Sequence, residues 1–225
     1  MRIRRKKNLE ERLEKVKEKL LIIDKKVVNV NEALKEKRLL DFKSIFNNDN
    51  PVCVEVGCGK GGFIIETAKN TPNKNFLAVE MMENIILLAV ESAINTATNN
   101  LFFMNTGAEY LPRYIENYSV SEFYLNFSPP YPQKNRENRR LTNDRFIKVY
   151  KDMLVSGGKI YLKTDDFEFY EYSQMKLLEN GFDVENTTEK VRDGTLNNVL
   201  TEYEKKFISQ GLPIYYLTAT KRHFF

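Results

Sequence analysis

The chain has 225 residues, of which 42% are hydrophobic, and this is enough for one sizeable core. Its net charge of +4 is uneven, because residues 1–50 hold 15 Lys/Arg against 9 Asp/Glu. No apolar run approaches the roughly 20 residues of a membrane span, and the single histidine, His223, argues against a histidine triad or a histidine-rich metal site, so we expect a cytoplasmic protein without a metal.

The N-terminal region is predicted to be a basic helical extension over residues 1–50, followed by one domain over residues 51–225. Apolar residues at helical spacing predict a helix over 8–20, and a second short helix is expected near 31–46. The MRIRRKK arm, Met1–Lys7, is dense in positive charge and suits a phosphate backbone.

The rest of the chain alternates between strand and helix patterns. Strands are predicted at 52–56, 75–80, 101–104, 122–127, 159–164, 183–191 and 214–220, and helices at 63–70, 83–97, 108–117, from Thr142 to Gly157–Gly158, and 167–180. This alternation predicts a doubly wound α/β fold with a mostly parallel, seven-stranded sheet.

A glycine-rich turn, GCGKGG, follows the first of these strands and predicts a cofactor site. Glu55 precedes the turn, and Glu80 ends the next strand, where a carboxylate commonly binds a ribose diol. No Lys-Ser or Lys-Thr follows the glycines, which excludes a phosphate-binding P-loop.

A nicotinamide dinucleotide and S-adenosylmethionine both suit the layout. The acid at Glu55 favours S-adenosylmethionine, which is cationic and carries no phosphate. The predicted cofactor-binding residues are Glu55, Gly57, Gly59, Gly61, Glu80, Asn105 and Gly107.

A proline-rich loop, NFSPPYPQKNRENRR, follows the fourth predicted strand. Its Ser128-Pro129-Pro130-Tyr131 core resembles the motif with which amino-directed nucleic-acid methyltransferases hold an exocyclic amine. The loop continues into a second basic cluster, which suits RNA phosphates and comprises Lys134, Arg136, Arg139 and Arg140.

Five stretches are similar to bacterial tRNA (guanine-N7)-methyltransferases, in that family's order: VEVGCGKGGFIIETAK, LNFSPPYP with RRLT, YLKTDD, TEYEKKF and GLPIYYL. The resemblance implies a Rossmann-like class I fold, S-adenosyl-L-methionine as cofactor and tRNA as partner, in a monomer or homodimer. It also implies catalytic or substrate-binding roles for Asn126, Tyr131, Gln133, Lys134, Arg136, Asp165, Thr201, Glu202, Tyr203 and Glu204.

The chain departs from that family's usual pattern where the chemistry is expected. In the proline-rich loop, Pro129 replaces an aspartate and Tyr131 replaces a tryptophan, while Gln133 replaces a lysine and Asn135 replaces an arginine. After the third predicted strand, Gly107 also replaces an aspartate. The missing carboxylate need not abolish transfer to the guanine ring nitrogen. N7 has an in-plane lone pair and no proton to lose, so the reaction needs alignment more than a base.

Three functions remain open on these residues. The length of the match favours methylation of guanine N7 in tRNA. The alternatives are methylation of an exocyclic amine through Ser128–Tyr131, and an inactive tRNA-binding protein, which the loss of the aspartate suggests.

Overall fold

The computed structural model describes residues 8–23, 29–96, 98–194, 196 and 198–222. The chain divides into two compact units, Met1–Tyr114 and Ile115–Phe225. The Met1–Lys7 arm and His223 lie outside the described residues. Within the described ranges, no helix has the length and apolar character needed to cross a membrane.

The described residues of the first unit form four strands that pair in the order β1-β4-β3-β2, and every pair is parallel. These are β1 (Leu20–Ile23), β2 (Val52–Val56), β3 (Asn75–Val79) and β4 (Leu101–Asn105). Every residue of β2 and β3 is buried, which is typical of parallel strands covered on both faces. The helices are α1 (Leu9–Lys15), α2 (Val30–Ala33), α3 (Phe42–Phe46), α4 (Gly62–Asn70), α5 (Glu83–Ile94) and α6 (Leu111–Tyr114), the last preceded by a 3-10 turn at Ala108–Tyr110.

In the second unit, the part of the chain that the structure describes also forms four strands, in the order β5-β6-β8-β7. These are β5 (Val120–Asn126), β6 (Leu154–Thr164), β7 (Phe182–Asn186) and β8 (Tyr215–Lys221). The pair β5/β6 is parallel, whereas β8 is antiparallel to both β6 and β7. The helices are α7 (Asp144–Met153), α8 (Phe167–Glu179), α9 (Thr188–Arg192) and α10 (Glu202–Ser209), with a 3-10 helix at Lys134–Arg139.

The strands and helices confirm the predicted α/β class with mostly parallel pairing. The described residues hold eight strands rather than seven, because the N-terminal region supplies β1. Lys19, just before β1, explains why: its backbone carbonyl accepts from Phe103 N–H (2.8 Å), and its Nζ donates to the carbonyl of Thr98 (2.5 Å). Pairing with β4 therefore overrides the helical pattern, and the helix predicted over 8–20 ends at Lys15.

Several other predicted boundaries are wrong. The helix expected near 31–46 is two short helices, α2 and α3, and the strand expected over 183–191 is β7 followed by α9. Asn143, not Thr142, caps α7 through its side chain, whereas the Thr142 hydroxyl hydrogen-bonds that of Ser173 (2.8 Å). Gly157 and Gly158 lie inside β6 rather than ending the helix.

Candidate active site

The glycine turn of the first unit joins β2 to α4 in a conformation that side chains would disturb. Gly57 and Cys58 donate backbone hydrogen bonds to the carbonyl of Val79 (2.8 and 3.0 Å), which folds the turn against the end of β3. Gly61 caps α4 at φ +82°, and a Cβ there would lie 3.0 Å from the Ala89 Cβ. The turn is therefore tight because its backbone must pass close to α5.

Glu80 ties the end of β3 to this turn. Its carboxylate accepts hydrogen bonds from the backbone N–H groups of Met82 (2.9 Å) and Gly59 (3.3 Å). Burial raises the pKa of Glu80, although these backbone donors partly oppose the shift. The buried amide of Asn105, at the end of β4, donates to the Glu80 carbonyl (2.8 Å).

Glu55 lies in β2 and is only 2% exposed. Burial and the nearby carboxylates of Glu55 and Glu80 raise the pKa of the Cys58 thiol well above its ordinary value. Both acids therefore lie close to the turn, and Cys58 is a protonated, buried thiol rather than a nucleophile. Gly107 is also buried, two residues beyond Asn105.

Of the predicted cofactor residues, Glu80 is hydrogen-bonded to the glycine turn at Gly59 and to Asn105, whereas no contact links Gly107 to the turn within the described residues. Two carboxylates and a glycine backbone fit a cationic ligand with a ribose diol better than they fit a phosphate chain. The individual contacts with S-adenosylmethionine stay predictions.

The proline-rich loop of the second unit leaves β5 in a strained conformation. Phe127 and Tyr131 have positive φ angles, 49° and 40°, which are uncommon for aromatic residues. Phe127 N–H donates to the Lys163 carbonyl (2.8 Å), so the loop begins anchored to β6. Asn126 is 9% exposed, and Ser128 is 8% exposed with a hydroxyl closed to solvent.

The basic cluster after this loop is not uniform. Gln133, Lys134, Arg136 and Arg139 are exposed. Arg140 is half-buried, and its guanidinium donates to the carbonyls of Pro130 (2.8 Å) and Tyr131 (3.2 Å). The sequence predicted a phosphate contact for the whole cluster, but Arg140 is engaged by the loop itself.

Asp165 and Asp166 follow β6 and have different surroundings. Asp166 caps α8, because its Oδ1 accepts from the N–H of Phe169 (2.8 Å). Asp165 is exposed, and no hydrogen bond or ion pair holds its carboxylate within the described part of the chain. Its carboxylate is therefore available to a ligand.

The Thr201–Glu204 segment forms a reciprocal capping box at the start of α10. The Thr201 hydroxyl accepts from the N–H of Glu204 (2.9 Å), and the Glu204 carboxylate accepts from the N–H of Thr201 (2.6 Å). Glu202 is exposed, and Tyr203 is 58% exposed, with its ring stacked on Phe127 at 5.7 Å. Glu204 is fully buried.

A buried network surrounds Glu204 that the sequence reasoning missed. Its carboxylate lies 3.2 Å from Lys163 Nζ and accepts hydrogen bonds from Asn198 Nδ2 (2.9 Å) and the Tyr216 hydroxyl (2.8 Å). Burial alone would raise the pKa of Glu204, but the Lys163 ammonium and the surrounding donors outweigh it and lower that pKa. The available signal was a lysine at the end of a buried strand, in YLKTDD, which requires an acidic partner.

Comparison with known proteins identifies relatives across both units. A family model described as "Putative methyltransferase" matches residues 49–217. The tRNA (guanine-N(7)-)-methyltransferase of Oceanobacillus iheyensis is 39% identical over 178 residues, covering 78% of this chain and 83% of the relative. The enzyme of the same name from Clostridioides difficile is 37% identical over 225 residues, covering 99% of this chain and 100% of the relative.

Solved structures show the same fold at much lower sequence similarity. The 16S rRNA methyltransferase KamB superposes with a TM-score of 0.60 at 15% identity, covering 90% of this chain and 99% of that one. This likeness supports the class I methyltransferase fold alone. The sequence relatives go further, because they are more than 30% identical and extend over most of both chains. The chain therefore belongs to the tRNA (guanine-N7)-methyltransferase family.

Proposed function

We propose that this chain transfers a methyl group from S-adenosylmethionine to N7 of a guanine in tRNA. The observation that carries the proposal is the similarity to tRNA (guanine-N(7)-)-methyltransferases over 78% to 99% of the chain. The carboxylates and glycine turn of the first unit and the exposed acid and aromatic groups of the second fit the two ligands that this reaction requires.

The first unit supplies the groups for the cofactor. Glu80 accepts from the ribose hydroxyls, and the carboxylate of Glu55 favours the positive charge of the ligand. When bound, S-adenosylmethionine supplies the methyl carbon, which the N7 lone pair accepts as the sulfur–carbon bond breaks. The chain removes no proton in this step, because N7 carries none.

The second unit supplies the groups for the guanosine. Asp165 orients the guanine edge and offsets the positive charge that the ring gains on methylation. Tyr131 and Tyr203 offer aromatic faces for the base. Glu204 has a structural role in this proposal. Its buried carboxylate is already hydrogen-bonded and holds the start of α10, which carries Tyr203. Pro129 is compatible with activity, since the reaction depends on orientation rather than on a base.

The alternative reaction at an exocyclic amine has less support. That reaction would use the Ser128 hydroxyl as an acceptor for the amine hydrogens, whereas this hydroxyl is closed to solvent. The burial of this hydroxyl therefore argues against the exocyclic-amine reaction.

The test is incubation of the protein with labelled S-adenosylmethionine and unmodified tRNA, followed by nucleoside analysis. We expect 7-methylguanosine. A methylated exocyclic amine would support the alternative reaction, and tRNA binding without any transfer would identify an inactive binding protein. Either result would overturn the proposal.

A further inference from the structure

We propose that Arg140 is a positioning residue for methyl transfer, which holds the backbone of the proline-rich loop so that Tyr131 is presented to the target guanine. This inference rests on the proposed function and assigns Arg140 a different role from its basic neighbours. Its basis is the way the guanidinium is bound on two sides, by the loop carbonyls and by an aromatic ring.

The first contact is a pair of hydrogen bonds to consecutive carbonyls. Arg140 Nε donates to the Pro130 carbonyl at 2.8 Å, and Nη2 donates to the Tyr131 carbonyl at 3.2 Å. A guanidinium can span two acceptors in this way because its N–H groups lie in one rigid plane, whereas a lysine ammonium is a single point charge.

The second contact fixes the guanidinium in place. Its central carbon lies 4.2 Å from the centroid of the Tyr172 ring, on α8. The Tyr172 hydroxyl accepts from Asn143 Nδ2 (3.3 Å), and Asn143 caps α7. Arg140 therefore connects the loop to the start of α7 and to α8, both of which are regular helices.

The loop requires an outside donor because of its own composition. Pro129, Pro130 and Pro132 have no N–H group, so the loop has few donors for its own carbonyls. Tyr131 also adopts φ +40°, a conformation that is unfavourable for a non-glycine residue. Such a conformation persists only where its surroundings hold it, and Arg140 is the side chain that binds the carbonyl of this residue.

The neighbouring basic residues provide the contrast. The side chains of Lys134, Arg136 and Arg139 are exposed, and they make no hydrogen bond or ion pair within the described ranges of the chain. They suit phosphate contacts, which contribute affinity and salt dependence. The guanidinium of Arg140 donates its hydrogen bonds to the loop carbonyls. Substitution of Arg140 should therefore lower turnover rather than tRNA affinity.

The experiment compares Arg140→Ala and Arg140→Lys in steady-state assays and tRNA-binding titrations over a range of salt. Arg139→Ala, the exposed neighbour, is the contrasting variant and should lower the salt slope. We expect Arg140→Ala to lower kcat roughly 10- to 100-fold, the scale of a misplaced reacting group. Its S-adenosylmethionine affinity and salt slope should match the wild type. Arg140→Lys should remain impaired, and methylguanidinium should restore part of the activity of Arg140→Ala.

Loss of the stack provides a second route if Arg140→Ala does not fold. Tyr172→Leu removes the ring and should lower kcat, whereas Tyr172→Phe keeps the ring and should retain it. Full activity of Arg140→Lys would overturn the inference, because charge alone would then suffice. A reduced salt slope with unchanged kcat would identify Arg140 as a phosphate contact. Absence of 7-methylguanosine with the wild-type protein would instead overturn the proposed function.

Discussion

Asp165 and Asp166 are adjacent carboxylates whose surroundings assign them separate tasks. Either aspartate is chemically able to cap the following helix, but Asp166 makes that hydrogen bond. The choice depends on where β6 ends, and one residue of difference in the strand boundary is beyond what a sequence pattern resolves. The carboxylate of Asp165 is thereby left exposed, as the proposed contact with the guanine requires.

Substitution of each aspartate should separate turnover from stability. We expect Asp165→Asn to lower kcat at least about tenfold, equivalent to roughly 1.4 kcal/mol in the barrier, while the melting temperature is retained. Asp166→Ala should cost about 1 kcal/mol of stability through the lost cap, and Asp166→Asn should restore it. Wild-type turnover in Asp165→Asn would remove Asp165 from the reaction.

Glu80 should make cofactor binding dependent on pH. In the proposed site the ionised carboxylate of Glu80 accepts from the ribose hydroxyls, and burial raises the pKa of this carboxyl. Affinity for S-adenosylmethionine should therefore fall as the pH is lowered through that raised pKa, starting at a higher pH than for an ordinary glutamate.

Calorimetry with the wild type, Glu80→Ala and Glu80→Gln measures this effect. We expect Glu80→Ala to weaken binding by about 1.5–3 kcal/mol, the scale of a hydrogen bond to a charged group. Binding to Glu80→Gln should lose the acid dependence, since the amide does not titrate. An unchanged pH profile in Glu80→Gln would assign the dependence to another group.

At the scale of elements, β6, β8 and α10 meet through Lys163, Tyr216 and Glu204. The order of the strands after residue 51 and the glycine turn follow from local patterns, so the sequence predicted them. The network around Glu204 could not be predicted from local patterns, because its members are far apart in the chain. The charged pair is recognisable only once β6 and α10 are adjacent. The same reason explains β1, a four-residue strand defined by a partner some eighty residues later.

Breaking the Lys163–Glu204 pair should destabilise the protein strongly. Glu204→Gln keeps the shape of the side chain but leaves the Lys163 ammonium buried without its anion, so we expect a loss of about 3–5 kcal/mol in denaturant unfolding. Glu202→Gln, on the same helix but exposed, is the control and should stay within about 0.5 kcal/mol of the wild type.

The pH dependence gives an independent check on this pair. Since the pKa of Glu204 is lowered in the folded protein, its contribution is present above the ordinary glutamate pKa and is lost as the pH falls through the lowered value. The difference between wild type and Glu204→Gln should therefore shrink in that acidic range. A difference independent of pH would mean that packing, not charge, causes the loss.

At the scale of the whole molecule, positive charge is concentrated in particular segments rather than spread evenly. The sequence located these segments, but it could not show which side chains are exposed to RNA. That depends on whether each side chain hydrogen-bonds to the protein itself. Arg136 and Arg139 are exposed on the 3-10 helix, whereas Arg140, next in the chain, is bound by the loop.

Removal of Arg136 and Arg139 should therefore reduce the salt dependence of tRNA binding. We expect the double variant Arg136→Ala/Arg139→Ala to lower the slope of log K against log salt by about two, roughly one for each lost phosphate contact. Lys159→Ala, an exposed lysine within β6, is the control for net charge. An equal loss of slope in that control would indicate a diffuse effect of charge rather than contacts at the 3-10 helix.

The pairing of β1 with β4 also has a consequence for how the chain reaches its native state. The ribosome delivers Leu20–Ile23 long before Leu101–Asn105 exists, so the last position beside β4 can close only after most of the first unit has been synthesised. Until β4 has been synthesised, Leu20–Ile23 has no strand to pair with, so its backbone groups are open to other nascent chains and form a template for intermolecular strand addition. The pairing of this short N-terminal strand with β4 is therefore a late step in the assembly of the first unit.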